Sequence, residues 1–291
     1  MKKLFGGINL TWKKVIIAAI ILGIYTGIVA MIPIFQDTSF RDISITFEWW
    51  VLFGIIIIMN SKSPLDSALK CFVFFLISMP LVYLVQVPFS ELGWQMFNFY
   101  PDWFKWTILT IPMGYIGHYM KKDKWWGLLI LAPMVGFVGY HYYAFLREVY
   151  SFFPNHLLST IFCATTMIIY PLCIFKNKLY KRIGLAISIV IIIVASVYAL
   201  SSKRDFYNTT ILMSGGSLGI TFDNTYKAYL DDESYGTLEI VYEKNIEDYM
   251  VNASFAKTGT TTFTLESPDG EKIRFNITIE RSSYDVSKIE E

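Results

Sequence analysis

The hydrophobic pattern divides the chain into two parts near residue 200. Residues 1–200 consist of apolar runs of bilayer-spanning length with short polar segments between them. Residues 201–291 instead alternate apolar and polar positions with a period of two, which is typical of half-buried β-strands. The pattern predicts a polytopic α-helical membrane domain over 1–200 and an all-β domain over 201–291.

Several apolar segments in the first part have the length of a transmembrane helix. There are seven of them: 15–35, 45–60, 69–88, 104–120, 125–145, 157–175 and 183–200. The second and fourth have the weakest signal, and the second is strongly apolar only from Trp49 to Met59. Before the third segment, Ser63 and Pro64 are typical of an N-cap and a first helical position. We expect about seven transmembrane helices.

The second part predicts at least five short strands. The clearest is Lys272–Glu280, in which every second residue from Ile273 to Ile279 is apolar. Thr260–Leu265 precedes it, and the turn Ser267–Gly270 between the two indicates a hairpin. Further alternating segments are 218–222, 237–243 and 249–255. The pattern predicts a β-sandwich.

Two short stretches resemble known protein groups. Ala256–Leu265, read through to Ile279, resembles the closing strands of bacterial immunoglobulin-like domains, which have a glycine before a threonine-rich strand and a turn into an alternating final strand. This resemblance implies an immunoglobulin-like sandwich and no particular ligand. In the membrane part, Phe74–Leu81 and Trp106–Pro112 are similar to uncharacterised multi-spanning proteins of Gram-positive bacteria, and this likeness implies no activity.

Composition and charge narrow the class of protein. The chain is 54% hydrophobic and 17% charged, and its mean hydropathy of +0.44 is too high for an ordinary soluble globule. Residues 1–200 hold 16 basic and 8 acidic side chains (16 − 8 = +8), whereas residues 201–291 hold 9 and 16 (9 − 16 = −7). Without a domain-wide basic surface, nucleic-acid binding is excluded as the main task. The three cysteines lie in apolar runs, so neither a disulfide framework nor a cysteine zinc site is expected.

The distribution of lysine and arginine predicts the orientation in the plasma membrane. With a cytoplasmic N-terminus, the inner segments carry 13 basic residues and the outer loops carry 3, which are Arg41, Lys105 and Arg147. Seven crossings then put residues 201–291 outside the cytoplasm. The first apolar run, Val15–Phe35, has the length of a transmembrane helix rather than that of a signal peptide, and no clear cleavage site follows it.

Ionisable groups at membrane depth are the candidates for chemistry. His141 and Glu148 are seven residues apart and share a helix face, and His156 begins the sixth segment. Two imidazoles and a carboxylate are a sensible ligand set for zinc, although interfacial side chains, with Arg147 pairing Glu148, explain the same pattern. Glu48 and Gln86 are predicted to line an outward-open cavity with His141, or to bond across helices.

The predicted function is that of a non-enzymatic membrane accessory or scaffold protein. No catalytic spacing occurs, and the β part, which has no histidine or cysteine, cannot form a Ser-His-Asp site alone. We therefore expect no cofactor and no metal; the bilayer surrounds the helices, and the β domain binds a membrane or envelope protein. Gly23 and Gly27 form a GxxxG step, which allows close approach of a helix from this chain or from a partner. The alternatives are a transporter of small solutes or ions and an intramembrane metalloenzyme.

Overall fold

A computed structural model describes residues 3–35, 38–90, 92–201, 207–216, 218–280 and 283–289. The chain divides into two compact units, Met1–Ser201 and Ser202–Glu291. They are called the helical unit and the β unit below. Each has its own apolar core.

The helical unit contains α-helices joined by short connections. They are α1 (Trp12–Met31), α2 (Ser39–Ile45), α3 (Phe47–Asn60), α4 (Pro64–Gln86), α5 (Tyr100–Gly117), α6 (Trp126–Phe152), α7 (Leu157–Ile174) and α8 (Lys178–Ser201). Short 3-10 helices lie at Pro33–Phe35, Gly93–Phe99 and His118–Lys122. Each of the seven predicted segments is therefore mainly helical.

Five of the described helical segments are long and apolar enough to cross a membrane. They are Trp12–Met31, Pro64–Phe89, Trp126–Val149, Leu157–Ile174 and Lys178–Ser201. Helices α2 and α3 meet the same criterion only together, bent by 49°, which gives six if this pair is one span. Helix α5, the fourth predicted segment, is not among them. Apolar side chains cover the surfaces of several of these helices, as expected for helices in contact with lipid: Ile21, Leu129, Val190, Ile193 and Val197 are all more than half exposed.

The start of α4 shows how sequence determines a helix boundary. Ser63 accepts a hydrogen bond from the Asp66 amide at 3.1 Å, and Asp66 accepts one from the Lys62 amide at 2.8 Å. Pro64 occupies the first turn, where its missing N–H costs nothing. The predicted N-cap is confirmed.

Helix α3 lies at the centre of the helical unit and contacts α4, α5, α6 and α7. Its buried Trp50 and Ile55 join a core that includes Phe74 of α4 and Tyr170 of α7. Helix α1 packs along α4, while α6, α7 and α8 pack on one another. This arrangement brings the first turn of α3 next to α6, where the polar residues considered below lie.

The β unit contains two antiparallel sheets. Its strands are β1 (Tyr207–Met213), β2 (Lys227–Leu230), β3 (Gly236–Glu243), β4 (Asp248–Phe255), β5 (Gly259–Glu266), β6 (Lys272–Ile279) and β7 (Tyr284–Lys288). One sheet has the order β1-β4-β3 and the other β2-β5-β6-β7. If the strands are lettered A to G along the chain, the two sheets are ADC and BEFG. A constant-type immunoglobulin domain has the sheets ABED and CFG instead.

Alternation in the sequence explains the core of the β unit. In β6 the side chains of Phe275, Ile277 and Ile279 are buried while those between them are more exposed. Phe275 stacks on its register partner Phe263 with ring centroids 4.5 Å apart. Buried residues of both sheets form one cluster, and the predicted β5–β6 hairpin is present.

One predicted strand, 218–222, is wrong. This segment carries no strand where it is described, although Ile220 and Phe222 are buried. Gly219 adopts a left-handed φ of +65°, which interrupts an extended run. The Ile220 carbonyl accepts from the Gly215 amide at 2.8 Å, so the segment is held as a loop against the core.

Candidate functional site

The helical unit brings together carboxylates and histidines that are far apart in sequence. Asp42 comes from α2, Glu48 from the first turn of α3, and His141 and Glu148 from α6. His156 immediately precedes α7. These five residues form two carboxylate–histidine groups and are called the acid–histidine cluster below.

The first group joins Glu48 to His141. The Glu48 side chain is completely buried, and its Oε2 lies 3.4 Å from Nδ1 of His141. That approach lacks hydrogen-bond geometry, so Oε2 has no hydrogen-bond partner among the described residues. Oε1 pairs with the Thr46 hydroxyl, which is also 2.5 Å from the Asp42 carbonyl. A buried carboxylate oxygen without a donor is costly and needs a physical explanation.

The second group centres on Asp42 and His156. Asp42 Oδ2 lies 2.7 Å from His156 Nδ1 and accepts a hydrogen bond of the same length from the Ser159 hydroxyl. Glu148 Oε2 lies 3.4 Å from the same histidine nitrogen. Glu148 is about half exposed, whereas the His156 side chain is buried. The group therefore extends from a buried histidine to the surface of the helical unit.

The start of α7 positions His156. As N-cap of α7, His156 has a left-handed φ of +61° and its side chain makes no capping hydrogen bond. Ser39 of α2 replaces the cap, because its Oγ accepts from the amides of Leu158 at 3.1 Å and Ser159 at 3.2 Å. The imidazole contacts Asp42 instead of capping α7.

Two links connect the groups. Thr46 lies between the Asp42 carbonyl and the Glu48 carboxylate. The ring of Phe145 lies between the histidines, with centroids 6.1 Å from His141 and 6.4 Å from His156. The cluster therefore consists of carboxylates and histidines, which can exchange protons, with the apolar ring of Phe145 between the two histidines.

The sequence-predicted residues are only partly brought together. Glu48 meets His141, and Glu148 meets His156, while Arg147 donates to the Tyr143 hydroxyl at 3.4 Å. The Gln86 amide donates to the Val82 carbonyl of its own helix at 2.8 Å, so its observed bond is not across helices.

The suggested zinc set of His141, Glu148 and His156 does not form. Nδ1 of His141 lies 3.4 Å from Oε2 of Glu48, whereas Oε2 of Glu148 lies 3.4 Å from Nδ1 of His156, so the two α6 side chains meet different partners. Within the described ranges, no group of three or more His, Cys, Asp or Glu residues is arranged to hold a metal.

Three residues of this region, Asp42, Ser39 and Ser159, were not predicted from the sequence. The pattern that could have indicated Asp42 is a carboxylate flanked by serines and threonines between two apolar runs.

The GxxxG step lies against α4. A Cβ on Gly23 would be 2.7 Å from the Ser78 carbonyl oxygen, and one on Gly27 would be 2.9 Å from that of Val82. Only hydrogen fits at either position, because side chains cannot approach a carbonyl so closely. These glycines therefore allow α1 to pack closely against a helix of the same chain.

The loop between β2 and β3 begins with Asp231 and Asp232, whose carboxylates bind partners within the β unit. Asp231 pairs with the hydroxyls of Thr262 and Thr264 and accepts from Arg274 at 2.7 Å. The hydrogen bond from Thr262, followed by that from Arg274, lowers the pKa of Asp231 below its usual value. Hydrogen bonds from Ser234 likewise lower the pKa of Asp232. These carboxylates stabilise the loop and strand β5.

The chain was also compared with known proteins. No protein-family model, curated protein or solved structure matches it. The function is therefore inferred from the composition of the two units and from the geometry of the acid–histidine cluster.

Proposed function

We propose that this protein is a non-enzymatic accessory protein of the plasma membrane that presents its β unit outside the cytoplasm to a membrane or envelope protein. The observation that carries the proposal is the division of the chain into an apolar helical unit and a compact acidic β unit with a separate core. A membrane-spanning helical unit anchors the chain, and edge strands with unpaired backbone groups are a common recognition surface.

The proposed topology has seven crossings and a cytoplasmic N-terminus. Thirteen basic residues then face the cytoplasm and three face outward, as expected for short loops. In this topology α5 is one of the seven crossings, although it is not among the five helices that are apolar enough by themselves. Its 18 residues form about 27 Å of helix, which is close to the thickness of the hydrocarbon core of a bilayer. We further propose that the β unit is an immunoglobulin-like sandwich in architecture, with its own strand order.

Cysteine labelling tests this topology. In a variant whose native Cys71, Cys163 and Cys173 are replaced by alanine, Asp269→Cys places a thiol in the exposed β5–β6 turn and Lys178→Cys places one at the start of α8. A membrane-impermeant maleimide should label Asp269→Cys in intact cells and Lys178→Cys only after permeabilisation. The reverse result would invert the proposed orientation.

Cross-linking in the native membrane tests the partner. We expect a stoichiometric protein attached through lysines of the β unit, such as Lys227 and Lys257, when the full chain is extracted in mild detergent. Absence of any protein linked to these lysines, or links confined to lysines of the helical unit, would contradict display by the β unit.

A second candidate function is proton or cation transfer through the helical unit. The hydrogen bonds around Glu48 favour it, because they fit a protonated carboxyl group. The Thr46 hydroxyl has one hydrogen but faces two acceptors, the Asp42 carbonyl and the Glu48 carboxylate. A proton on Glu48 resolves this, because Glu48 then donates to Thr46. Intramembrane carboxylates and histidines in chains of this kind are characteristic of proton pathways.

Reconstituted vesicles with an internal pH-sensitive dye test this second function. After an external acid pulse, the wild-type chain should acidify the lumen faster than protein-free vesicles, and Glu48→Gln should abolish the difference. Gln86→Leu is the matched control, because Gln86 bonds only its own helix in the described contacts. Equal rates for wild type and protein-free vesicles would remove transfer as a function.

A further inference from the structure

A wide apolar cleft of about 600 Å³ separates α5 from α6, with α3 as its floor. It exists because α5 packs on α4 instead of α6. A Cβ on Gly114 of α5 would lie 3.0 Å from the Ala68 Cα atom of α4, so these two backbones are in close contact. The walls are almost entirely aliphatic and aromatic, with Val51, Phe75, Met113, Ile130 and Met134 among the lining residues.

The two ends of the cleft differ. At one end three lining aromatic rings pack together: Phe47 stacks on Trp103 at 4.8 Å and meets Phe137 edge-on at 5.0 Å. At the other end the lining residues Ile116 and Leu129 adjoin the connection between α5 and α6. From Trp103 to Ile116 the helical rise gives roughly 20 Å, more than half the thickness of a bilayer core.

The connection between α5 and α6, next to Ile116 and Leu129, is basic. It carries Lys121, Lys122 and Lys124, of which Lys122 and Lys124 are exposed and Lys121 donates to the Ser61 carbonyl. The acidic residue among them, Asp123, accepts hydrogen bonds from the backbone amides of residues 176 and 177 at 3.0 and 2.8 Å. Two exposed lysines therefore lie on the connection that follows the Ile116 end of the cleft, and the Lys122 ammonium is 4.7 Å from the Tyr119 ring centroid.

We propose that this cleft binds one acyl chain of an anionic phospholipid, with the lipid phosphate at Lys122 and Lys124. An acyl chain matches the apolar walls and the length of the cleft, and a phosphate complements the charge of the adjoining connection. A soluble polar ligand would find almost no hydrogen-bonding partners on these walls. The site is separate from the acid–histidine cluster, from which Phe47 and Phe137 divide it.

Gly54 provides a precise way to fill the cleft. It lines the floor on α3, and a Cβ built there meets nothing within 4 Å. Gly54→Leu should therefore occupy acyl-chain space without displacing protein atoms. Gly136→Leu on α6 is the matched control, since Gly136 also has open space around its Cβ but does not line the cleft. Gly54→Ala is a second control for folding.

The measurement is native mass spectrometry of the full chain in detergent after incubation with equal amounts of phosphatidylglycerol and phosphatidylcholine. Wild type, Gly54→Ala and Gly136→Leu should retain one phosphatidylglycerol. Gly54→Leu should lose about tenfold in bound lipid, which corresponds to exclusion of roughly two buried methylenes. Equal lipid retention by Gly54→Leu and Gly136→Leu would overturn the proposal. So would a wild-type dimer that Gly54→Leu alone abolishes, because a second copy of the chain would then occupy the cleft.

The headgroup contact has its own test. The double variant Lys122→Gln, Lys124→Gln should bind both lipids equally, because the preference for phosphatidylglycerol comes from these charges. Lys13→Gln with Lys178→Gln removes the same charge from exposed positions outside the cleft and should keep the preference. An unchanged preference in the first double variant would exclude Lys122 and Lys124 as the phosphate site.

Discussion

Nδ1 of His156 lies 2.7 Å from Oδ2 of Asp42, although 114 residues separate the two along the chain. This bond ties α2 to the start of α7. Because both side chains are largely buried, we expect a double-mutant cycle of Asp42→Asn and His156→Gln to give a coupling free energy of about 1–3 kcal/mol.

The matched comparison for that cycle is the exposed pair of Asp102 and Lys105, which are 2.6 Å apart on α5. Solvent screens this pair, so Asp102→Asn with Lys105→Gln should couple by about 0.5 kcal/mol or less. Unfolding of the full chain by dodecyl sulfate, followed by helical circular dichroism, measures both. Equal coupling in the two cycles would show that the Asp42–His156 bond does not hold α2 to α7.

Ser39 caps α7 from another helix, and its removal should be costly. Ser39→Ala deprives the amides of Leu158 and Ser159 of their acceptor and should lower the free energy of unfolding by about 1 kcal/mol. Ser78→Ala is the control, since the buried Ser78 hydroxyl has no hydrogen-bond partner among the described residues. The same denaturation experiment should show little or no loss for Ser78→Ala. Equal losses would point to general packing rather than capping.

Patterns local in sequence predicted much of this fold. The alternation that predicted a strand from Lys272 reflects burial of one face, which β6 shows residue by residue. The Ser63 cap was visible because an N-cap and its partner are three residues apart. Such signals need no knowledge of tertiary structure.

Contacts between distant segments had no such signal. Asp42 meets His156 from α2, which is bent by 49° from α3, and nothing in either segment specifies that angle. The same limit applies to the metal hypothesis, since a shared helix face says nothing about which neighbour each residue meets. His141 meets Glu48 and Glu148 meets His156, so one face serves two separate pairs.

Close packing of α1 on α4 predicts a strong size effect at Gly23. Gly23→Leu puts atoms where the Ser78 carbonyl lies and should cost about 3 kcal/mol, more than the helix propensity gained. Gly136→Leu has open space and should cost little. Because Gly23 faces a helix of the same chain, the mass of the detergent-solubilised protein should be unchanged by either substitution. A change of oligomeric state specific to Gly23→Leu would instead indicate a partner helix.

The low pKa of Asp231 predicts a pH dependence in the β unit. A carboxyl group with a folded pKa below its unfolded value stabilises the folded state above the unfolded value near 3.8, and this contribution is lost as the pH falls through the folded pKa. Asp231→Asn should therefore destabilise the β unit at pH 7 by about 1 kcal/mol, because charged hydrogen bonds to Thr262 and Arg274 are weakened.

Hydrogen exchange of strands β2 and β5 in the full chain measures this effect. The difference between wild type and Asp231→Asn should shrink as the pH falls from the unfolded pKa near 3.8 through the lower folded pKa. Asp269→Asn, in the exposed β5–β6 turn, is the control and should match the wild type throughout. If the difference in stability between wild type and Asp231→Asn did not change with pH, the loss of stability would come from the altered shape of the side chain and not from its charge.

Burial of Glu48 predicts that its ionisable group adds no stability. Its Oε2 has no donor among the described residues, so Glu48→Gln, which keeps the shape and removes the ionisable group, should leave the midpoint of thermal unfolding unchanged or raise it. Glu48→Ala should lower the midpoint instead, because it opens a cavity and leaves Thr46 without one partner. Glu148→Gln, at a half-exposed site, should have a small effect. A buried ionisable group that adds no stability is typical of a functional site, and a marked loss of stability in Glu48→Gln would assign Glu48 to structure alone.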